Sequence, residues 1–325
     1  MSNCYLFDLD GTLLKSDKTI PGGALKVLEE YRRDGKIIGV VTSRSESNSR
    51  KYLGTLAPDI LITSGGAEVK VRGTKIFEGA FSAEKTREII RRAEEVIGHV
   101  NITADATDGT FYRNYTPDED VLERSWGDSN LTDFDDYDKA TLKLCFEVFD
   151  EDKADRLIAA LPGCDAVRFT DGYWYKFTPR GVNKESAIIM ACNYLGIDTR
   201  DVAAFGDDIA DIGMLELAGT GVAMGNSVDE VKAKADVVIG SNDDNGIEIY
   251  LRTVRIARME EVFDRVSRDM GRAATSDIRR LEKYLATTFK SDYEADERGL
   301  LPNTLKRGVL SQDAIYNLLD DIELD

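Results

Sequence analysis

Two rhythms of hydrophobic and polar positions divide the chain. The apolar run Tyr5-Leu6-Phe7-Asp8-Leu9 is followed by a helix-period pattern from Ala24 to Arg33, then by the run Lys36 to Thr42. A second helical pattern covers Glu46 to Leu56, and another apolar run covers Asp59 to Ser64. Short apolar strands alternating with amphipathic helices predict βαβ units, hence a parallel sheet with helices on both faces. Right-handed crossovers then bring the carboxyl ends of the strands to one edge, where an open sheet of this kind binds its ligand. The residues just after each strand are the ones to inspect for chemistry.

From about Gly73 to Thr178 the rhythm changes. The runs Thr74 to Phe81, Asn101 to Thr107, Gly109 to Tyr115, Lys143 to Phe149, Ala166 to Thr170 and Tyr173 to Thr178 are interleaved with only two helical patterns, Ala83 to Ile97 and Lys153 to Leu161. That series predicts an inserted α+β domain with an antiparallel sheet. Afterwards the α/β rhythm returns, with helices over Lys184 to Leu195, Ile209 to Leu217 and near Val228 to Ala235, and strands over Val202 to Gly206, Gly221 to Gly225 and Val237 to Ser241. The expected fold is α/β: a doubly wound, Rossmann-like parallel sheet core over 1–77 and 180–254, an inserted α+β domain over 78–179, and a helical C-terminal extension over 255–325. Three amphipathic helices are expected in that extension, with Ser276 and Ser311 as candidate N-caps. Their default is packing on the core, and their apolar faces are also candidate surfaces for a homo-oligomer.

Chemistry enters at the first strand end. Asp8-Leu9-Asp10-Gly11-Thr12 follows an apolar run, and both carboxylates project into the crevice if the strand breaks after Asp8 at the turn that Gly11 permits. One carboxylate can be a nucleophile and the other a proton carrier. A carboxylate attacking a phosphate dianion needs a divalent cation between the like charges. Further acidic ligands are therefore expected, and Gly206-Asp207-Asp208-Ile209-Ala210-Asp211 supplies them after the strand Val202 to Phe205. Asp8, Asp207 and the backbone carbonyl of Asp10 form a hard-oxygen set of the kind magnesium takes. Lys184 and the hydroxyl of Thr42 are candidates for the phosphoryl oxygens. A calcium-loop reading of Asp8 to Thr12 fails, because Leu13 to Ile20 lacks the further ligands and the terminal Glu.

Charge and composition narrow the partners. A net charge of -18 disfavours nucleic acid and anionic membrane surfaces, which leaves a small phosphorylated metabolite held by a local cation. The scattered Cys4, Cys145, Cys164 and Cys192 have no metal or redox spacing and read as free thiols. No stretch is apolar enough to span a bilayer and no leader pattern is present, so a cytoplasmic protein is expected. The single histidine, His99, reads as a surface residue.

In their order along the chain these motifs resemble those of the haloacid dehalogenase-superfamily phosphatases, specifically the Cof-type branch with a large α/β cap inserted between the second and third motifs. The resemblance spans Tyr5 to Leu251. It implies that Asp8 is the nucleophile and Asp10 the general acid/base, also binding metal through its backbone oxygen. It further implies that Thr42 and Lys184 bind phosphate, and that Asp207 ligates magnesium with Asp211 in support. Ser43 and Asn226 join the candidate phosphate contacts, and Gly11 and Arg44 the supporting ones. The implied activity is magnesium-dependent hydrolysis of small phosphomonoesters, sugar phosphates foremost, through an aspartyl-phosphate. A phosphosugar mutase of the same superfamily and a catalytically weak phosphometabolite-binding protein remain the alternatives. The chain departs from the family pattern at Ala210, where Asn is usual, at Ser43, at Gly65-Gly66-Ala67, and at Lys176, where an acidic residue is common. In the insert, Tyr112, Arg113, Arg168, Trp174 and Lys176 are candidate pocket residues, and the acidic run from Asp118 to Asp138 is expected to be a solvated face.

Overall fold

Among the described residues the main sheet has eight strands in the order β14-β13-β12-β1-β2-β3-β4-β5. Its parallel strands are β1 (Cys4–Phe7), β2 (Ile37–Val41), β3 (Ile60–Thr63), β12 (Val202–Gly206), β13 (Thr220–Ala223) and β14 (Val237–Val238). Helices α1 (Gly22–Arg33), α2 (Glu46–Leu53), α5 (Lys184–Leu195), α6 (Ile212–Leu217) and α7 (Asp229–Lys232) connect them. Burial on both faces explains why the strands read as unbroken apolar runs, and every residue of β1 is buried. The order reverses between β1 and β12, so the residues after those two strands meet at the switch point where such sheets bind ligands. Stacking of Phe7 on Phe205, with centroids 4.5 Å apart, locks that central pair.

In this computed structural model the described residues are 2–116, 129–170, 173–255 and 257, and the chain divides into two units, 1–244 and 245–325. In the second unit residues 246–255 are helical, with Arg252 Nε donating to Glu248 Oε1 at 3.1 Å. The three helices expected beyond, with Ser276 and Ser311, lie outside the described residues, as does the 118–128 part of the acidic run.

One expectation needs correction. Most of the run Thr74 to Phe81 belongs to the main sheet: β5 (Thr74–Glu78) pairs antiparallel with β4 (Glu68–Val71), which pairs with β3, so both extend that sheet, while Phe81 bridges to Thr141 of the insert. The physical reason is the turn between them, since Arg72 and Gly73 both take positive φ, the geometry of a tight hairpin.

Among the described residues the second sheet has six strands in the order β10-β11-β9-β6-β7-β8. These are β6 (Ile102–Ala106), β7 (Phe111–Arg113), β8 (Asn130–Leu131), β9 (Thr141–Glu147), β10 (Cys164–Arg168) and β11 (Trp174–Pro179). The pairing is antiparallel as expected, except that β7 and β8 run parallel. Helices α3 (Ala83–Ile97) and α4 (Glu151–Ala160) cover one face, burying Ala104, Leu144, Phe146 and Phe177 against Ile89, Ala93 and Leu157. Alternation sends Thr103, Asp105, Lys143, Cys145 and Lys176 to the other face, and all five are buried. A polar face without solvent must be covered by another layer. Here Lys143 Nζ donates to the Ser43 carbonyl at 2.7 Å, and Ser64 Oγ donates to Asp105 Oδ2 at 2.8 Å. The inserted sheet thus roofs the strand ends of the main one.

Candidate active site

Asp8 follows β1 and Asp207 follows β12, its neighbour in the sheet. One oxygen each from Asp8, Asp207 and Asp211 lie within 4.8 Å of one another. Gly11 makes this approach feasible. It has a φ of +75°, and a Cβ there would sit 2.1 Å from Asp207 Oδ2. Asp207 Oδ1 accepts the Thr12 hydroxyl at 2.7 Å, so the turn after β1 also orients the carboxylate after β12.

Asp211 is fully buried and works as a scaffold. Its Oδ2 accepts the backbone amides of Asp207 and Asp208 at 3.0 and 3.1 Å, and its Oδ1 accepts the Lys184 ammonium at 2.5 Å. Lys184 opens α5, whose N-cap Asn183 is held in a capping box with Ser186. Its Nζ also donates to Asp8 Oδ1 at 2.7 Å. Asp8 and Asp207 each keep one oxygen without a hydrogen-bond partner among the described residues.

One ammonium pairs with two of the three acids, and the electrostatics follow. Burial, then the negative charge of Asp211, pushes Asp8 up to about 8 against the relief from Lys184. Burial and the charges of Asp8 and Asp211 push Asp207 up to about 9. For Lys184 burial alone would lower the value, but Asp211 and Asp8 outweigh it and hold the ammonium charged. The cluster is short of positive charge.

Asp10 sits in a different field. Arg44 Nε donates to its Oδ2 at 2.5 Å and Arg44 Nη2 to its Oδ1 at 2.8 Å, while Lys18 Nζ donates to Oδ1 at 2.7 Å. Burial pushes this carboxyl up, yet the two cations prevail and hold it below its ordinary range. Asp10 is therefore an anion ready to accept a proton.

Thr42 follows β2, and its hydroxyl accepts the Arg44 amide at 3.1 Å, leaving its hydrogen to donate. The Ser43 hydroxyl beside it is buried and has no hydrogen-bond partner among the described residues. Asn226 lies beside the first motif. Its Nδ2 donates to the Gly11 carbonyl at 2.8 Å and its Oδ1 accepts the Asn242 amide at 3.1 Å, so it braces the Gly11 turn. Of the pocket candidates in the insert, Arg168 pairs with Glu151 in solvent, Tyr112 packs edge-on against Tyr137, and Trp174 lies against Tyr115. The Arg113 guanidinium lies 5.9 Å from the Tyr115 ring, and only Lys176 is drawn to the strand ends.

Sequence reasoning missed several groups. Thr12 lay inside the first motif without a role. Lys18 had no signal, since it reaches Asp10 only through a loop with a φ of 64°. Lys143 carried one, a charge at an alternating position inside an apolar strand. Asp208 was also missed: its Oδ2 accepts the amide of Thr170, from the loop after β10, at 2.8 Å, tying roof to core.

Comparisons with known proteins agree with this geometry. The family model of haloacid dehalogenase-like hydrolases matches residues 5–251, and that of a domain of unknown function matches residues 256–323. YkrA of Bacillus subtilis, which carries a provisional phosphatase name, is 31% identical over 79% of this chain and 99% of its own. The phosphoglycolate phosphatase of Methanopyrus kandleri is 27% identical over 81% of this chain and 99% of its own. Among solved structures, BT1666 of Bacteroides thetaiotaomicron, titled a phosphatase of the same superfamily, superposes with a TM-score of 0.67 at 25% identity. That match covers 78% of this chain and 94% of the other.

Proposed function

The chain belongs to the haloacid dehalogenase-like hydrolases of Cof type and is a phosphatase, and we propose that it hydrolyses small phosphomonoesters, sugar phosphates foremost, with magnesium and through an aspartyl-phosphate on Asp8. The observation that carries the finer part is the charge imbalance: three carboxylates gather within 4.8 Å of one another, and one ammonium pairs with two of them. Carboxylates pushed together in a buried site call for a cation, and hard oxygens suit magnesium. Asp8 and Asp207, each with an oxygen to spare, would hold it with the backbone carbonyl of Asp10. Asp211, whose two oxygens are taken, stays in support. When bound, the ion supplies charge neutralisation between the attacking carboxylate and the phosphoryl oxygens.

The chain's own residues do the rest. Lys184 and Thr42 bind the phosphoryl oxygens, and the Asp8 carboxylate attacks phosphorus in line, opposite the leaving alcohol. A water then attacks the aspartyl-phosphate, and Asp10, kept anionic by Arg44 and Lys18, takes its proton. The proton so gained is available for the next leaving-group oxygen. The roof excludes bulk water from these steps. Placement in the cytoplasm is our reading of the four free cysteines and of the absence, among the described residues, of any helix long and apolar enough to cross a membrane.

The test is a phosphate-release screen over sugar phosphates, nucleotides and flavin or pyridoxal phosphates, with and without magnesium, on the wild type and Asp8→Asn. Release that requires magnesium and disappears in Asp8→Asn is the expected result. Release that survives either chelation or the substitution refutes the mechanism.

A further inference from the structure

Among the buried cations that face the strand ends, Lys176 stands out for having no hydrogen bond or ion pair among the described residues. Lys184 is taken by Asp8 and Asp211, and Lys143 by Asp105 and the Ser43 carbonyl. Lys176 stands on β11, opposite Cys145 of β9, on the polar face of the roof, and is 2% exposed. Its ammonium reaches the strand ends at Gly65, where a Cβ would lie only 2.7 Å from Nζ. Gly65 in turn donates its amide to the Thr42 carbonyl at 3.0 Å, so the ammonium arrives beside the segment assigned to phosphate. A buried cation without a partner is costly, and a ligand anion that pairs with it recovers that cost.

The direction of the reaction says which part of a ligand meets Lys176. In-line displacement sends the leaving group away from the attacking Asp8 oxygen, hence out of the core and toward the roof. Core residues already supply the contacts to the phosphoryl oxygens. One ammonium also balances one negative charge, whereas a second phosphate would bring two into a pocket already rich in carboxylates. We propose that Lys176 binds a carboxylate on the leaving group, so that the substrates are phosphorylated sugar acids or other phosphorylated hydroxy acids; this deepens the phosphatase reading and rests on it. Burial and the charges of Lys184 and Lys143 push Lys176 down to about 8, with the weaker opposing pull of Cys145 and Glu185, so an anion there restores the charged form.

The test uses two compounds that differ only in the group at issue, glycerate 3-phosphate with a carboxylate and glycerol 3-phosphate with a hydroxymethyl. Calorimetry on the full chain carrying Asp8→Asn, with magnesium chloride present, measures binding without turnover. Lys176 is then compared with Lys176→Met and Lys176→Arg in that background. The expected result is at least about ten-fold tighter binding of the carboxylate compound, the size of a charge-assisted hydrogen bond. That preference should vanish in Lys176→Met and return in part in Lys176→Arg. Equal binding of the two compounds by the lysine protein overturns the inference, and so does an equal weakening of both in Lys176→Met. A lowered thermal midpoint in Lys176→Met with the preference intact would assign the lysine to the fold and likewise overturn it. Failure of both compounds to bind overturns the phosphatase reading of the site along with this inference.

Discussion

Replacing Lys184 with methionine should unfold the protein more readily, and by an amount the structure sets. The ammonium is 2% exposed and lies 2.7 Å from Asp8 Oδ1 and 2.5 Å from Asp211 Oδ1. Methionine is close to lysine in volume, so the change is electrostatic with little cavity. It leaves two buried carboxylates with no cation between them. Removing one partner of a buried pair costs about 3–5 kcal/mol. For a unit of this size that lowers the thermal midpoint by about 6–20 °C. The loss should also depend on pH. An unpaired buried carboxyl has a raised folded value, so it contributes fully below its unfolded value of 3.8 and loses that contribution as pH rises toward the folded one. The penalty should therefore be smallest near about pH 5, where the orphaned acids can take up protons, and larger at about pH 8, where it is still growing. Urea unfolding of wild type, Lys184→Met and Lys184→Met with Asp211→Asn, at both pH values and with unchanged slopes, measures it. The added asparagine should recover part of the loss. A penalty under about 1 kcal/mol at the higher pH, the size of an exposed pair, refutes the reasoning, as does one that ignores pH.

Other expectations follow from the same geometry. Without divalent metal, the raised values of Asp8 and Asp207, about 8 and 9, mean that stability declines as pH rises from near 3.8 through that window. Magnesium should restore it most at the alkaline end, and thermal midpoints with and without chelator that coincide there would contradict this. Gly11→Ala places a methyl group 2.1 Å from Asp207 Oδ2 and should cut turnover at least about 100-fold through misplacement of that ligand; calorimetry should show weakened magnesium binding, and unchanged binding would count against the role of the turn. Arg44→Met removes the main partner of Asp10 and should move the acid limb of the kcat profile to higher pH; an unmoved limb would mean that Asp10 is not the base. Asp208→Ala removes the acceptor for the Thr170 amide and should raise KM more than it lowers kcat; the reverse pattern would place Asp208 in the chemistry itself.

How much of this was legible without coordinates differs by element. The parallel strands, the helix from Lys184 to Leu195 and the acidic strand ends were readable, because alternation, helical periodicity and glycine turns are local properties that neighbouring residues decide. The ordering of Asp8, Thr42, Lys184 and Asp207 along the chain was enough to indicate a phosphoryl-transfer site. What the sequence could not determine were the encounters between residues far apart in it. That Lys184 bridges Asp8 and Asp211, that Arg44 and Lys18 hold Asp10 as an anion, and that Asn226 is drawn into bracing Gly11 all depend on which strands become neighbours at the switch point. The same holds for the hairpin of β4 and β5, which joined the main sheet although its rhythm continued into the insert. Lys176 is the clearest case. In the sequence it is one lysine inside an aromatic strand, and only the closing of one sheet over another takes it out of water and turns its charge toward the site, because desolvation and pairing are properties of position in space.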